Sequence, residues 1–289
     1  MLAFTAKPRS ASLAFLAAGA VWFVVGTLYG LFSAIHLMAP DALGNIGVLV
    51  FGRTRPVHVN TVIFGFVAPV LVGCALYYVP ALLRTPLWSE RLGWASWLLW
   101  NVTVASGPAT FSFGISQGRE YAELIYPVKA LLLLALVLLL YVLLMTVLNR
   151  KENLLYVSVW YVVGAVLWTA AFYPPGNVMW RPATGALTGT VDAIWLWFYG
   201  HNIFGLFLTP LAIAIAYYIM PRVANAPLYS HTLSLIGFWT LLAFYTHIGT
   251  HHLIQAPVPT WLKTISIIEH RDAHPRVHRT REPVADYQG

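Results

Sequence analysis

The sequence predicts an all-α, polytopic transmembrane helix bundle of about seven helices. Two observations carry this. Apolar residues make up 59% of the 289-residue chain and charged residues only 9%, against roughly 25% charged in a soluble domain. The apolar residues also fall into runs of about 20, the length needed to cross a hydrocarbon core. A chain this apolar cannot cover a water-facing surface, so lipid is its main solvent. The net charge of +7 is spread over loops and tail, with no basic stripe for a nucleic acid to follow.

The runs lie at 13–38, 59–83, 92–113, 128–148, 154–173, 194–220 and 232–254. The first follows Lys7 and Arg9 without a small-residue cleavage site after a short apolar core, so it reads as a retained helix and not a removed signal. The third is the weakest, broken by Ser106, Gly107 and Pro108. Turn-rich joints at 40–45, 84–86, 149–153, 174–189 and 221–227 separate the runs. The expected organisation is a cytoplasmic N-terminus at 1–12, a membrane domain at 13–267 and a hydrophilic, disordered tail at 268–289. Basic residues are almost evenly divided between the two sides. Lys7, Arg9, Arg84, Arg91, Arg150, Lys151 and Arg222 tip the balance towards a cytoplasmic N-terminus. Cys74 is the single cysteine, which excludes an internal disulfide and cysteine-based clusters.

Polar side chains at membrane depth are costly unless paired or ligating. His58, His201, His247, His251 and His252 therefore need reasons. Neighbouring His251 and His252 point about 100° apart on a helix and converge on one ion only if it lies between them. His201, on the preceding helix, is expected at a comparable depth. Three imidazoles with an open position suit a copper ion that binds a ligand. His36, at the end of the first helix, can be solvated at the interface, and His247 has no evident partner. Tyr245 precedes His252 by two helical turns, about 10 Å on one face, where a phenol can supply a proton and an electron. Ser234, about 16 Å further down that face, and His231 one turn below it form a polar column suited to a proton path. The same groups could equally hydrogen-bond helices together. His58 stands at the expected mouth of the second helix in GRTRPVHVN, with Pro56 in its first turn and Arg53 and Arg55 just outside. An imidazole for iron and guanidiniums for propionates at the membrane edge suit a haem. Glu120 and Glu123, in GREYAELIYP, lie on the same side. Two carboxylates beside propionates would call for a cation such as calcium, or simply form a solvated loop.

GRTRPVHVN, SQGREYAE, WFYGHN and YTHIGTHHL, in this order, resemble the catalytic subunit I of the C-type haem–copper oxidases, the cbb3-type cytochrome c oxidases. The likeness runs from about Phe32 to Ile267 and is specific mainly because the tyrosine shares a helix with the histidine pair. The resemblance implies the N-terminal part of a twelve-helix fold in a bacterial inner membrane. It implies His58 as an axial ligand of a low-spin haem b, and His201, His251 and His252 as copper ligands. Tyr245 would be a redox-active tyrosine covalently joined to His201. Arg55 would contact haem propionates, Glu120 a calcium ion, and Ser234 a proton channel in which His231 replaces the usual tyrosine. The implied reaction is reduction of oxygen to water with electrons from cytochrome c or c-type cytochrome subunits, coupled to proton translocation. In the family, later helices supply the second low-spin ligand and the proximal histidine of a high-spin haem, so the chain is expected to be truncated. A nitric oxide reductase of the same superfamily, with iron for copper, is the alternative enzyme. An inactive truncated membrane protein is the alternative without catalysis.

Overall fold

A computed structural model describes residues 7–43 and 46–273. Among these residues the chain is helical throughout its ordered elements: α1 (Ser10–Met38), α2 (Phe51–Asn60), α3 (Ala68–Leu82), α4 (Glu90–Phe111), α5 (Tyr126–Leu148), α6 (Val157–Gly176), α7 (Gly189–Asn202), α8 (Thr209–Val223), α9 (His231–Tyr245) and α10 (Thr260–Ala273). Successive long helices run up and down, as short connections between membrane spans require.

Two joins are wide helical turns. Thr61–Val67 and Ile203–Leu208 are π-helical and weld α2 to α3 and α7 to α8. The result is two continuous apolar rods, Phe51–Leu82 and Gly189–Val223. The rods share a sequence pattern that runs from Asn60 or Asn202, through Ile-Phe-Gly, to a Tyr-Tyr pair. The second tyrosines of the two pairs, Tyr78 and Tyr218, stack on each other with centroids 4.7 Å apart.

The sequence leads one to expect seven spans. Among the described residues, five helical stretches are long and apolar enough to cross a membrane: Ser10–Met38, Phe51–Leu82, Tyr126–Leu148, Val157–Gly176 and Gly189–Val223. Helix α4 has the length, at 22 residues, but is too polar to score as a span. Its polar groups are spent on neighbours. Trp97 donates its indole N–H to the Ala14 carbonyl at 2.9 Å, Trp100 to Phe64 at 2.7 Å, and the Ser96 hydroxyl donates to Ala135 at 2.9 Å. Such bonds tie helices together where water is absent.

The run expected at 232–254 is not one helix. Helix α9 stops at Tyr245 after 15 residues, and Ile248–Leu253 forms a tight 3₁₀ segment. The carbonyl of Thr246, the next acceptor a continuing helix would need, is instead taken by the Asn202 side-chain N–H at 3.1 Å. Helix α10 then begins after Pro259 and crosses the expected boundary at 267–268. The rest of the expected tail, 274–289, lies outside the described residues, as does the first half of the expected N-terminal segment, 1–6.

The expected mouth of the second helix also moves. Helix α2 starts at Phe51, so Pro56 lies inside it and His58 in its last turn. A proline there forgoes one bond to the carbonyl four residues back, here that of Gly52. Gly52 is exposed at the helix start, where the carbonyl can find other donors.

Side chains close the N-termini of α1, α4 and α9. The Ser89 hydroxyl caps α4 by accepting from Leu92 N–H at 3.2 Å, and Ser230 caps α9 through Leu233 N–H at 3.1 Å. Helix α1 is capped from outside. Glu90 of α4 accepts from the backbone N–H groups of Arg9 and Ala11 at 2.6 and 2.9 Å. A carboxylate at a helix N-terminus also meets the positive end of the helix dipole.

Candidate metal centre

His201 is the last residue but one of α7, which runs on into the π turn, and is only 4% exposed. His251 and His252 sit in the 3₁₀ segment beyond α9. The three histidines converge, each offering a ring nitrogen, with all the ligand atoms within 4.8 Å of one another. Ring centroids of His201 lie 4.8 Å from His251 and 5.6 Å from His252, with interplanar angles of 88° and 61°. Imidazoles facing each other at these angles suit ligands of one small ion better than a stack of packing rings.

Two aromatic rings hold this set in place. Tyr245 lies on His201 with centroids 4.0 Å apart and planes 15° from parallel. Trp197, one turn before His201, stacks on His252 at 4.2 Å and 19°. The Tyr245 ring reaches this position because residue 205, in the π turn, is glycine; a β-carbon there would collide with the phenol ring. The histidines and Tyr245 line a cavity of about 350 Å³ whose other walls include Tyr121, Phe204 and Thr209.

His58 lies at the end of α2 facing α1. Its Nδ1 is 2.8 Å from the Gly26 carbonyl oxygen. A β-carbon on Gly30 would sit 2.7 Å from the ring. Gly26 and Gly30 form a small-residue pair four apart, GTLYG, of the kind that lets membrane helices approach closely. An Nδ1–H bond to a backbone carbonyl fixes the tautomer and leaves Nε2 for a metal.

A polar layer adjoins His58. Arg55 and Glu120 form an ion pair. Arg53 donates to the Ser112 carbonyl at 3.1 Å. Glu123, 4% exposed, accepts from the Asn60 side chain at 2.9 Å. Burial pushes the Glu123 carboxyl above its ordinary value, opposed by the Asn60 hydrogen bond. Burial also raises the Tyr121 phenol, with the Glu120 charge adding to it. Arg119, 4% exposed, pairs with Asp192 at 3.0 Å and donates to the Gly176 carbonyl at 3.0 Å. Lys129 is buried nearby, at 1% exposure.

At the other end of α9, the Ser234 hydroxyl donates to the Ser230 carbonyl at 2.8 Å. His231 lines a cavity of about 450 Å³ with Tyr217, Tyr218 and Arg222. His36 bonds the Phe32 carbonyl oxygen at 3.1 Å through Nδ1. His247, for which the sequence offers no partner, meets Glu269 of α10 at 3.5 Å. That carboxyl is raised chiefly by desolvation, and His247 draws it back down.

Reading the sequence alone brings together the three histidines and Tyr245. It does not find the Gly26–Gly30 cradle of His58, the Trp197 stack or the Arg119–Asp192 pair. The first was visible as GTLYG, whereas the other two join residues far apart in the chain and carry no local signal.

A polytopic helix bundle with three convergent imidazoles under an aromatic cover defines an integral membrane protein with a candidate metal centre. Residues 10–269 match the family model described as Cytochrome C and Quinol oxidase polypeptide I, and the chain belongs to that family. It is 34% identical over 253 residues to a cytochrome c oxidase subunit 1 homolog of Agrobacterium tumefaciens (strain T37), covering 86% of this chain and 47% of that protein. It is 33% identical over 257 residues to cytochrome c oxidase subunit 1 of Rhodobacter capsulatus, covering 86% and 48%. It is 32% identical over 253 residues to the cbb3-type cytochrome c oxidase subunit CcoN1 of Stutzerimonas stutzeri, covering 86% and 53%. The chain thus spans about half the length of the relatives it matches.

The implied copper fits the residues present. Its donor set would be three neutral imidazoles whose ligand atoms already lie within 4.8 Å of each other. For a haem, which the family also implies, His58 would offer Nε2, its Nδ1 being bonded to the Gly26 carbonyl.

Proposed function

We propose that the chain is the copper-bearing part of a terminal respiratory oxidase subunit in a bacterial inner membrane. That enzyme would reduce oxygen to water with electrons from c-type cytochromes and translocate protons. The observation that carries this reading is the contact of Tyr245 with His201, inside a cluster of three histidines. Copper, when held there, supplies one-electron chemistry next to an oxygen-binding haem.

The chain's own residues have distinct tasks. His201, His251 and His252 hold the ion, and Trp197 keeps His252 turned towards it. Tyr245 gives up a proton and an electron from its phenol and is returned to its starting state by donors outside the cavity. Ser234 and His231 lie towards the N-terminal end of α9, where a cavity opens at His231. They feed protons up the helix. His58, its ring oriented by the Gly26 carbonyl, would hold a low-spin haem b. Arg55 would pair with a haem propionate, and Glu120, its present partner, would then be available to a calcium ion.

The nitric oxide reductase alternative has iron at this position. Among the described residues the donor set is all imidazole and no carboxylate lines the histidine cavity, which favours copper. The test is metal analysis of the purified chain after loading with copper or ferrous iron. It is paired with oxygen uptake from reduced cytochrome c in cells that also supply the rest of the subunit. One copper bound per chain and oxygen uptake lost in His201→Ala support the proposal. Preferential iron binding, or oxygen uptake indifferent to His201, overturns it.

A further inference from the structure

The N-terminal end of the bundle carries a second cavity, of about 390 Å³, between the end of α3 and the starts of α1 and α4. Leu76, Pro80, Ala81 and Leu87 give it apolar walls, and Arg9 and Arg84 stand at its rim.

Both arginines hold left-handed backbone, with φ of 64° and 51°. Arg84 closes α3 in a Schellman turn. Its N–H bonds the Ala81 carbonyl at 3.3 Å and Thr85 N–H bonds Pro80 at 3.1 Å. Glycine takes this position without steric cost, and any β-carbon is penalised. An arginine held there against its backbone preference points to a use for its side chain. Arg9 lies over the Tyr77 ring at 4.7 Å, with Nη1 3.5 Å from the phenol oxygen.

The acids at this end are already engaged. Glu90 accepts from Arg9 N–H, Ala11 N–H and the Ser10 hydroxyl. Glu152 meets Arg84 at Nε, 3.4 Å away, where the Arg84 side chain is 76% exposed. Lys7, Arg91, Arg150 and Lys151 add positive charge to the same end of the bundle. The cavity lies where α1 begins and α3 ends, which is headgroup level for helices that span the bilayer.

We infer that this groove binds an anionic phospholipid of the leaflet on the N-terminal side. Arg9 and Arg84 hold the headgroup phosphate through charge-assisted hydrogen bonds. The apolar walls receive the start of an acyl chain. Inorganic phosphate shares the first interaction and lacks the second. The inference is independent of the metal chemistry.

The test is native mass spectrometry of the full chain in a neutral detergent. The probes are dioleoylphosphatidylglycerol and dioleoylphosphatidylcholine, with inorganic phosphate as competitor. Phosphatidylglycerol should be retained in preference to phosphatidylcholine and resist displacement by phosphate. Arg9→Gln and Arg84→Gly should each weaken retention about fivefold. Arg84→Gly also relieves the left-handed backbone, so its thermal midpoint should hold or rise while lipid is lost, separating binding from folding. Equal retention of the two lipids overturns the inference. So does displacement by inorganic phosphate, or unchanged retention in the Arg9→Gln/Arg84→Gly double variant.

Discussion

Tyr245 lies flat on His201, ring against ring, with 4.0 Å between centroids. The two residues come from different helices and are 44 positions apart in the chain. What joins them is the end of α9. Thr246 hands its carbonyl to Asn202, the residue next to His201, and the phenol ring of Tyr245 drops onto Gly205. The stack needs only the ring, whereas the proposed chemistry needs the hydroxyl. Tyr245→Phe should therefore keep copper stoichiometry and helical content intact. Oxygen uptake should fall by about two orders of magnitude or more. Loss of copper together with activity would mean that the hydroxyl is structural.

The three imidazoles should contribute unequally to metal retention only through their supports. Removing a ligand, as in His251→Ala, should abolish stoichiometric copper. Trp197→Ala, which removes the ring stacked on His252, should weaken copper by about 10–100-fold, as loss of a supporting contact does. His247→Ala should leave copper binding unchanged, since His247 faces Glu269. Competition with a chromophoric chelator measures all three.

Gly30 faces the ring of His58 so closely that a β-carbon would sit 2.7 Å away. Gly30→Ala should force α1 and α2 apart or turn the imidazole, destabilising the chain by about 1–3 kcal/mol. A low-spin haem signal in the assembled subunit should be lost with it. Thermal unfolding in detergent and a reduced-minus-oxidised spectrum read the two effects separately.

Glu123 carries the pH dependence. Its folded value is raised by burial above the ordinary 4.5. The native state therefore holds this proton more tightly than the unfolded state does. That contribution to stability is fully present below about 4.5 and is lost as pH rises through the higher folded value. Glu123→Gln keeps a partner for Asn60 and removes the titration. The variant should gain stability relative to the parent as pH rises above that range, and the two curves should converge in acid. Parallel curves across the range would place the Glu123 carboxyl at its ordinary value.

Most of the membrane topology was legible because apolar length is a local property. The runs at 128–148 and 154–173 match α5 and α6 to within a few residues. Helix α4 was marked as the weakest span by Ser106, Gly107 and Pro108. The structure keeps it helical through them, with the Ser106 hydroxyl bonded to the Val102 carbonyl of its own helix, and ties it to neighbours through Ser96, Trp97 and Trp100. The break after Tyr245 was not legible. It depends on Asn202 capturing a carbonyl from another helix, and no window of sequence contains both partners. The histidine cluster was legible because burying three imidazoles in an apolar chain has few physical solutions. The partner of His247 was missed because Glu269 lies in α10, a segment whose composition suggested no ordered structure.

The π turns at Thr61–Val67 and Ile203–Leu208 each follow a histidine of the proposed sites, His58 and His201. A π turn amounts to one surplus residue in an α-helix, and one residue rotates everything beyond it by about 100°. Deleting a residue from either turn would yield a more regular rod with its lower half in place and its upper half swivelled. His58 would then face away from Gly26, or His201 away from Tyr245. Regularity of the rods and aim of the imidazoles are thus in direct competition, and at both depths the chain has settled for the irregular helix.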